Sequence, residues 1–241
     1  MKIKDIVAET VLPDGTRFKL RPFYPGEASV IADIYEYGLY DQLNLREGET
    51  VFDIGAHIGA FTVKASKIVG KKGRVISFEP HPENFGLLKE NIEINNCSNV
   101  IPFQTAFFHK KGEYELSLSG ISIAHSLVIE RGWGWGEGIL VNCSTIDAIM
   151  KETVFDELKE NRIDAIKIDA EGAEKLLLEG GANAIASFRP KIAVAAYHTP
   201  AQELEITEYL ETIGYETKRV STRASIYRTA QNFVPIIYGY P

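Results

Sequence analysis

A chain of 241 residues with 45% hydrophobic side chains has room for one sizeable α/β core and leaves little for a second domain. Its 33 acidic and 26 basic residues give a net charge of −7, which disfavours a phosphate-backbone partner, and two cysteines, Cys97 and Cys143, are too few for a zinc cluster or disulfide framework and suit a reducing compartment. No apolar run approaches the ~20 residues of a membrane span, and MKIKDIVAET lacks the apolar stretch of a secretion signal, so a soluble cytoplasmic protein is expected.

Residues 1 to 48 read as a hairpin around Pro13-Asp14-Gly15 followed by a helical segment carrying Ile31, Ile34 and Tyr35, an N-terminal cap for whatever follows. From residue 49 onward strand and helix alternate. TVFDI (50 to 54) and RVISFE (74 to 79) are continuous runs rich in β-branched and aromatic residues, as buried parallel strands require. Between them, Gly59 to Val69 places Phe61, Ala65, Ile68 and Val69 on one helical face. The basic residues Lys64, Lys67, Lys71, Lys72 and Arg74 read as a solvated helix end and loop. Pro82 opens a second helix that ends near Asn95-Asn96, and NVIPFQTAF (99 to 107) is a third strand. Residues 112 to 143 interrupt the rhythm: a hairpin in GEYELSLSGISIAHSLVIE, the loop RGWGWGEG, then strand-like ILVNC. IDAIKID (163 to 169) is a fourth strand, followed by a helix from Glu171 to Gly180-Gly181. KIAVAAYH (191 to 198), a helix over 201 to 213, YETKRVS (215 to 221) and FVPIIYGY (233 to 240) complete the series. No internal repeat appears. The expectation is a single domain over 1 to 241 with a doubly wound, mostly parallel sheet, a cap at 1 to 48 and an insertion at 112 to 143.

In such a sheet the ligand sits beyond the carboxyl ends of the strands, and the first strand-to-helix turn is its floor. Here that turn is Asp53-x-Gly55-x-x-x-Gly59 in VFDIGAHIGAF. A dinucleotide fingerprint started at Gly55 would put His57 where a glycine must let the pyrophosphate approach, and Ala60 in the last position. No Gly-Lys-Ser/Thr follows for a P-loop. Asp53 adds negative charge where a phosphate would lie. A ligand with an ammonium and a sulfonium but no phosphate fits better, and S-adenosylmethionine is such a ligand. Glu79, ending the second strand in FEPHPENF, is placed to accept both hydroxyls of a ribose. The structural alternatives are a helix-capping role for Asp53 and a surface charge for Glu79.

DIGAHIG, FEPHPENF and KIDAEGAE, in that order on those elements, resemble the FkbM family of S-adenosylmethionine-dependent methyltransferases, from about Tyr40 to the last strand. The resemblance implies a Rossmann-like class I methyltransferase with a seven-stranded sheet. It also implies that Asp53, Gly55 and Gly59 hold the methionine end, that Glu79 holds the ribose, and that Thr105, Ala106 and Phe107 line the adenine. One departure is His57, where the family commonly has Asn; both side chains can donate a hydrogen bond.

In DAIKIDAEGAE, alternation places Lys167 and Asp169 on one face of the fourth strand, with Asp169 at the carboxyl end of the sheet. Methyl transfer to an alcohol needs in-line alignment and a partner for the hydroxyl proton. Asp169 is a candidate for that proton, Lys167 for keeping Asp169 ionised, and His198 is the other candidate base. Glu171, opening the following helix, either joins them or complements the helix dipole. On ligand type, Asp169, Glu171 and His198 would also suit a divalent ion, but strand-end acids need not converge, and no metal is assigned. His125 and the glycine-flanked Trp133 and Trp135 are candidates for the acceptor side, the indoles as a flap or as a surface loop on the sheet edge. His81 and His109 read as loop and strand-end residues. The activity expected is O-methylation of a small molecule, sugar or glycan. An RNA methyltransferase, a nicotinamide-dependent oxidoreductase and a non-catalytic binding module are the alternatives. A membrane partner is not expected.

Overall fold

A computed structural model describes residues 6–118, 126–127, 138–151, 162–224 and 233–241. His125, Trp133 and Trp135 lie outside them, as does nearly all of the tryptophan loop. The chain begins with a two-stranded antiparallel hairpin, β1 (Ala8–Val11) and β2 (Arg17–Leu20), and the helix α1 (Glu27–Tyr35). The alternating part then runs β3 (Thr50–Ile54), α2 (Ala60–Val69), β4 (Arg74–Phe78), α3 (Pro82–Ile94) and β5 (Val100–Phe103). Next come β6 (Ala106–Phe107), β7 (Gly112–Leu116), β8 (Ile139–Ser144) and the short α4 (Ile146–Ile149). The last part is β9 (Ala165–Ile168), α5 (Glu174–Glu179), α6 (Ala182–Phe188), β10 (Lys191–Ala195), α7 (Gln202–Thr212), β11 (Glu216–Arg223) and β12 (Phe233–Tyr240).

Seven strands form the main sheet in the order β11-β12-β10-β9-β3-β4-β5. The five strands from β10 to β5 are parallel, and β12 runs antiparallel between β10 and β11. This is the doubly wound, mostly parallel, Rossmann-like architecture. Every residue of β3 and β9 is buried, Asp53 and Lys167 included, which is why neither strand alternates between apolar and solvent-facing polar residues. Successive side chains still alternate between faces: Val51, Val75 and Ala165 join the core under α1 and α2, while Phe52, Ile76 and Ile166 join the core under α5, α6 and α7. The direction of winding reverses between β3 and β9, so the crevice at their carboxyl ends is the expected ligand site.

The N-terminal hairpin lies against α3, where Asn91 accepts from the Lys19 amide at 2.7 Å and donates to the Lys19 carbonyl at 3.0 Å. Phe18, Ile31 and Ile34 belong to the same buried cluster as Val51 and Val63.

Three elements differ from the sequence expectation. The third strand stops at Phe103; Ala106 and Phe107 leave the main sheet and pair with β8 in a separate three-stranded sheet, β6-β8-β7. In the insertion, β7 pairs antiparallel with β8, joining Gly112–Leu116 to Ile139–Ser144, and among the described residues a further bridge joins Ser117 to Ser126. The helix after β9 starts at Glu174, because Glu171 and Gly172 take left-handed φ of 52° and 104° and cannot continue a right-handed turn. Among the described residues, no helix is long and apolar enough to cross a membrane.

Candidate active site

The exits of β3, β4 and β9 line one cleft. Gly55, Ala56 and His57 come from the β3 exit, Glu79 and Pro80 from the β4 exit, and Thr105, Ala106 and Phe107 from the segment after β5. The opposite end is built by Val30, Asp33, Ile34, Leu39 and Tyr40 of the N-terminal segment, together with Asp169, Glu171 and Tyr197. Gly55, His57, Glu79, Thr105, Ala106, Lys167, Asp169 and Glu171 therefore all reach the cleft, whereas Asp53, Gly59 and His198 are absent from its lining.

The turn has its shape for packing reasons. Gly55 has φ 76°, and a Cβ there would collide with the Asp169 carbonyl oxygen, so the exits of β3 and β9 touch only because this residue is glycine. Gly59, at φ 90°, precedes the first residue of α2. His57 is left-handed as well, at φ 54°, and its amide donates to Glu79 Oε2 at 2.8 Å while the His81 amide donates to Oε1 at 3.0 Å. Glu79 is thus clamped by two backbone donors at the cleft wall. Burial pushes its carboxyl up to about 7, against the pull of those two amides, Asn84 and Lys167.

Asp53 is fully buried. Register sets it between Ser77 and Lys167; its Oδ2 accepts from Thr62 Oγ1 at 2.5 Å and its Oδ1 lies 3.1 Å from Lys167 Nζ. Lys167 also donates to the Gly55 carbonyl at 2.7 Å. The charge assigned to Asp53 as the discriminator against phosphate is therefore compensated inside the protein. The cleft is acidic for another reason: Asp33, Glu79, Asp169 and Glu171 line it, and Lys167 is the only Lys or Arg among its described lining residues. A pyrophosphate would meet repulsion there and a sulfonium attraction.

At the far end, Asp169 Oδ2 accepts from Tyr40 Oη at 2.8 Å and from Tyr197 Oη at 3.5 Å. His198 Nε2 lies 3.4 Å from Asp169 Oδ1 and 3.5 Å from Glu171 Oε1, and its Nδ1 lies 2.9 Å from Glu174 Oε1. Glu174, fully buried, accepts from the amides of Ala170 and Gly172 at 2.9 Å each and from Gln202 Nε2. Burial opposes ionisation of Asp169, but contact with His198 and the charge of Lys167 hold its carboxyl well below the usual range. Burial likewise opposes the charged form of His198, and the carboxylates of Glu174, Glu171 and Asp169 outweigh it and drive the imidazole far above its ordinary value.

Sequence reasoning brought together Asp169, Glu171 and His198, and the structure does the same. It missed Tyr40, Tyr197 and Glu174. Glu174 stands inside the quoted block KIDAEGAE, so the signal was present; Tyr40 lies 129 positions from Asp169 with no local pattern to connect them.

The Methyltransferase FkbM domain model matches residues 53–217, well over half of the chain. Hexuronic acid methyltransferase AglP of Haloferax volcanii is 24% identical over 71% of this chain and 65% of its own length. Methyltransferase sdnD of Sordaria araneosa is 23% identical over 79% of this chain and 82% of its own. A 64-residue stretch is 38% identical to the tRNA (adenine(58)-N(1))-methyltransferase catalytic subunit TRM61 of Yarrowia lipolytica, covering 27% of this chain; the chain thus spans less than two thirds of AglP and 16% of TRM61. Among solved structures, the methyltransferase FkbM from Methylobacillus flagellatus superposes with a TM-score of 0.60 at 20% identity, covering 87% of this chain and 47% of that one. The M. jannaschii TYW2 structure, solved with AdoMet, superposes with a TM-score of 0.50 at 16% identity, covering 97% and 84%. The chain belongs to the FkbM family of methyltransferases, with S-adenosylmethionine as its cofactor.

Proposed function

We propose that the chain methylates a hydroxyl oxygen on a small molecule, sugar or glycan. The observation that carries this reading is the Asp169 carboxylate at the acceptor end of an acidic cleft, with Oδ2 held by two tyrosine hydroxyls and Glu171 beside it. The activity that gives AglP its name, on a hexuronic acid, supports a sugar-like acceptor.

The residues present fit the cofactor. Gly55 to His57 would offer backbone to the methionine end, Glu79 would present a carboxylate to the ribose hydroxyls, and Thr105 and Ala106 would line the adenine. Asp53 and Gly59 act from behind, Asp53 by fixing Lys167 and Gly59 by starting α2. When bound, S-adenosylmethionine supplies a methyl group on a positively charged sulfur, and its transfer to an alcohol leaves a neutral thioether and releases the hydroxyl proton. Asp169 and Glu171 flank the position of that hydroxyl, orient it by accepting its hydrogen, and take up the proton. His198 is enclosed behind the two carboxylates and positions them. Buried free thiols at Cys97 and Cys143 support a reducing, cytoplasmic setting.

Incubating the protein with S-adenosylmethionine and a panel of uronic acids, neutral sugars and polyols, then locating the methyl group by mass spectrometry, tests the reading. An alkali-stable methyl ether is expected, and Asp169→Asn is expected to lower kcat by about 100-fold or more with S-adenosylhomocysteine affinity kept. Methyl groups found only on nitrogen, on a carboxylate as an ester, or on RNA in a salt-dependent manner would overturn it.

A further inference from the structure

The group at the β9 exit has a charge imbalance that the methyl-transfer reading leaves unexplained. Three carboxylates, Asp169, Glu171 and Glu174, face His198, whose side chain is fully enclosed. Lys167, the lysine on the same strand as Asp169, is committed to Asp53 Oδ1 and the Gly55 carbonyl. A doubly protonated imidazole supplies one positive charge to these three carboxylates, surroundings that favour a further cation.

The atoms are arranged as ligands. Asp169 Oδ1, Glu171 Oε1 and His198 Nε2 lie within 4.8 Å of one another, with Nε2 at 3.4 and 3.5 Å from the two oxygens. Donors bound at about 2.1 Å to one cation sit roughly 3.0 to 3.4 Å apart. Asp169 Oδ1 and both ring nitrogens of His198 are buried and form no well-aligned hydrogen bond. Asp169 has its other oxygen anchored by Tyr40 and Tyr197, which leaves Oδ1 pointing at the group. Glu171 reaches it from a left-handed backbone at φ 52°, a conformation costly for a non-glycine residue and held by Ser126 Oγ donating to the Glu171 carbonyl at 2.7 Å. On the far side of the ring, Nδ1 meets Glu174 Oε1 at 2.9 Å, the carboxylate behind a histidine that orients a metal-binding imidazole.

We propose that Asp169, Glu171 and His198 bind a first-row divalent cation of the Mn²⁺ type, with Glu174 as the carboxylate that orients the histidine. Two carboxylate oxygens and one imidazole nitrogen suit such an ion, and three protein ligands leave open positions toward the cleft. Its catalytic use rests on the hydroxyl-methylation reading above: an acceptor hydroxyl filling an open position would be oriented and acidified beside Asp169. Binding itself does not rest on that reading.

Titration of the chelator-treated full chain with Mn²⁺ at pH 8, following free Mn²⁺ by electron paramagnetic resonance, tests the site without acceptor or turnover. One saturable Mn²⁺ per chain is expected, weakened about 10- to 100-fold or more in Glu171→Gln and His198→Ala, and about 10- to 100-fold in Glu174→Gln, which removes no ligand. Circular dichroism and S-adenosylhomocysteine binding establish that each variant is folded, and the near-isosteric Glu171→Gln keeps the test decisive should His198→Ala fail to fold. Absence of saturable binding to the wild-type chain, or affinity unchanged in Glu171→Gln and Glu174→Gln, would overturn the site. A protein that binds Mn²⁺ through these residues but methylates no hydroxyl would overturn the reading of function and leave the site standing.

Discussion

Glu79 shows how one side chain can couple cofactor binding to pH. The residue is 6% exposed, and burial pushes its carboxyl up from the ordinary 4.5 to about 7, against the opposing pull of two backbone amides. A raised carboxyl favours the fold fully below 4.5, and that contribution is lost as pH rises through about 7. Ribose hydroxyls donate to the carboxylate, so cofactor binding has the opposite demand. Affinity for S-adenosylhomocysteine is expected to fall about tenfold per pH unit below 7 and to level off above it, with proton release visible as a buffer-dependent calorimetric enthalpy. A dissociation constant flat from pH 6 to 8 would refute the assignment of Glu79 to the ribose. At this scale the sequence was informative where a residue's function follows from its place at a strand end, as for Glu79 and Asp169. It was silent where function depends on a partner far along the chain, as for Tyr40. Lys167 was tied to Asp169 because the two share a strand face, and its charge does help hold Asp169 ionised; cross-strand register adds Asp53 as its direct ion-pair partner.

Two glycines separate packing from propensity. In α3, the space a Cβ would occupy at Gly86 is open, with nothing within 4 Å, so Gly86→Ala adds helix propensity without a clash and is expected to raise unfolding free energy by about 0.5–1 kcal/mol. At the end of β3, Gly55→Ala must move the Asp169 carbonyl and also hold alanine at φ 76°, and is expected to cost more than about 2 kcal/mol. Urea unfolding of both variants checks the pair, and equal effects of the same sign would contradict it. Elements with strong local periodicity, such as α2, α3 and β12, were legible to within a residue or two. Pairing of β7 with β8 was not, because strand partners across so long a connection are set by tertiary contacts and not by turn chemistry. The start of α5 was displaced by the Glu171–Gly172 backbone, whose conformation serves the site and not the helix.

Across the whole molecule, the N-terminal segment is fastened by a buried ion pair. Arg21 donates from Nε to Glu27 Oε1 at 2.6 Å, from one terminal nitrogen to Asn84 at 2.5 Å and from the other to Glu83 at 2.8 Å, linking the segment after β2 to α1 and α3. Removing one partner of such a pair costs about 3–5 kcal/mol. Arg21→Met is therefore expected to lower the midpoint of one cooperative thermal transition monitored by calorimetry. Two resolved transitions would instead make residues 1 to 48 a separately melting unit. The overall winding of the sheet could be anticipated from the alternation of apolar runs, since that alternation admits few topologies. The shape of the cleft could not, because one side of it is assembled from segments far apart in the chain, Val30 to Tyr40 and Asp169 to Tyr197.

The contact between Gly55 and the Asp169 carbonyl makes the floor of the cleft a welded joint: neither loop can drift without dragging the other. Diversification toward new acceptors is thereby channelled to the periphery. Grafting the stretch that carries Val30, Asp33, Ile34 and Leu39 from one relative to another should redirect selectivity while the grip on the donor passes unaltered.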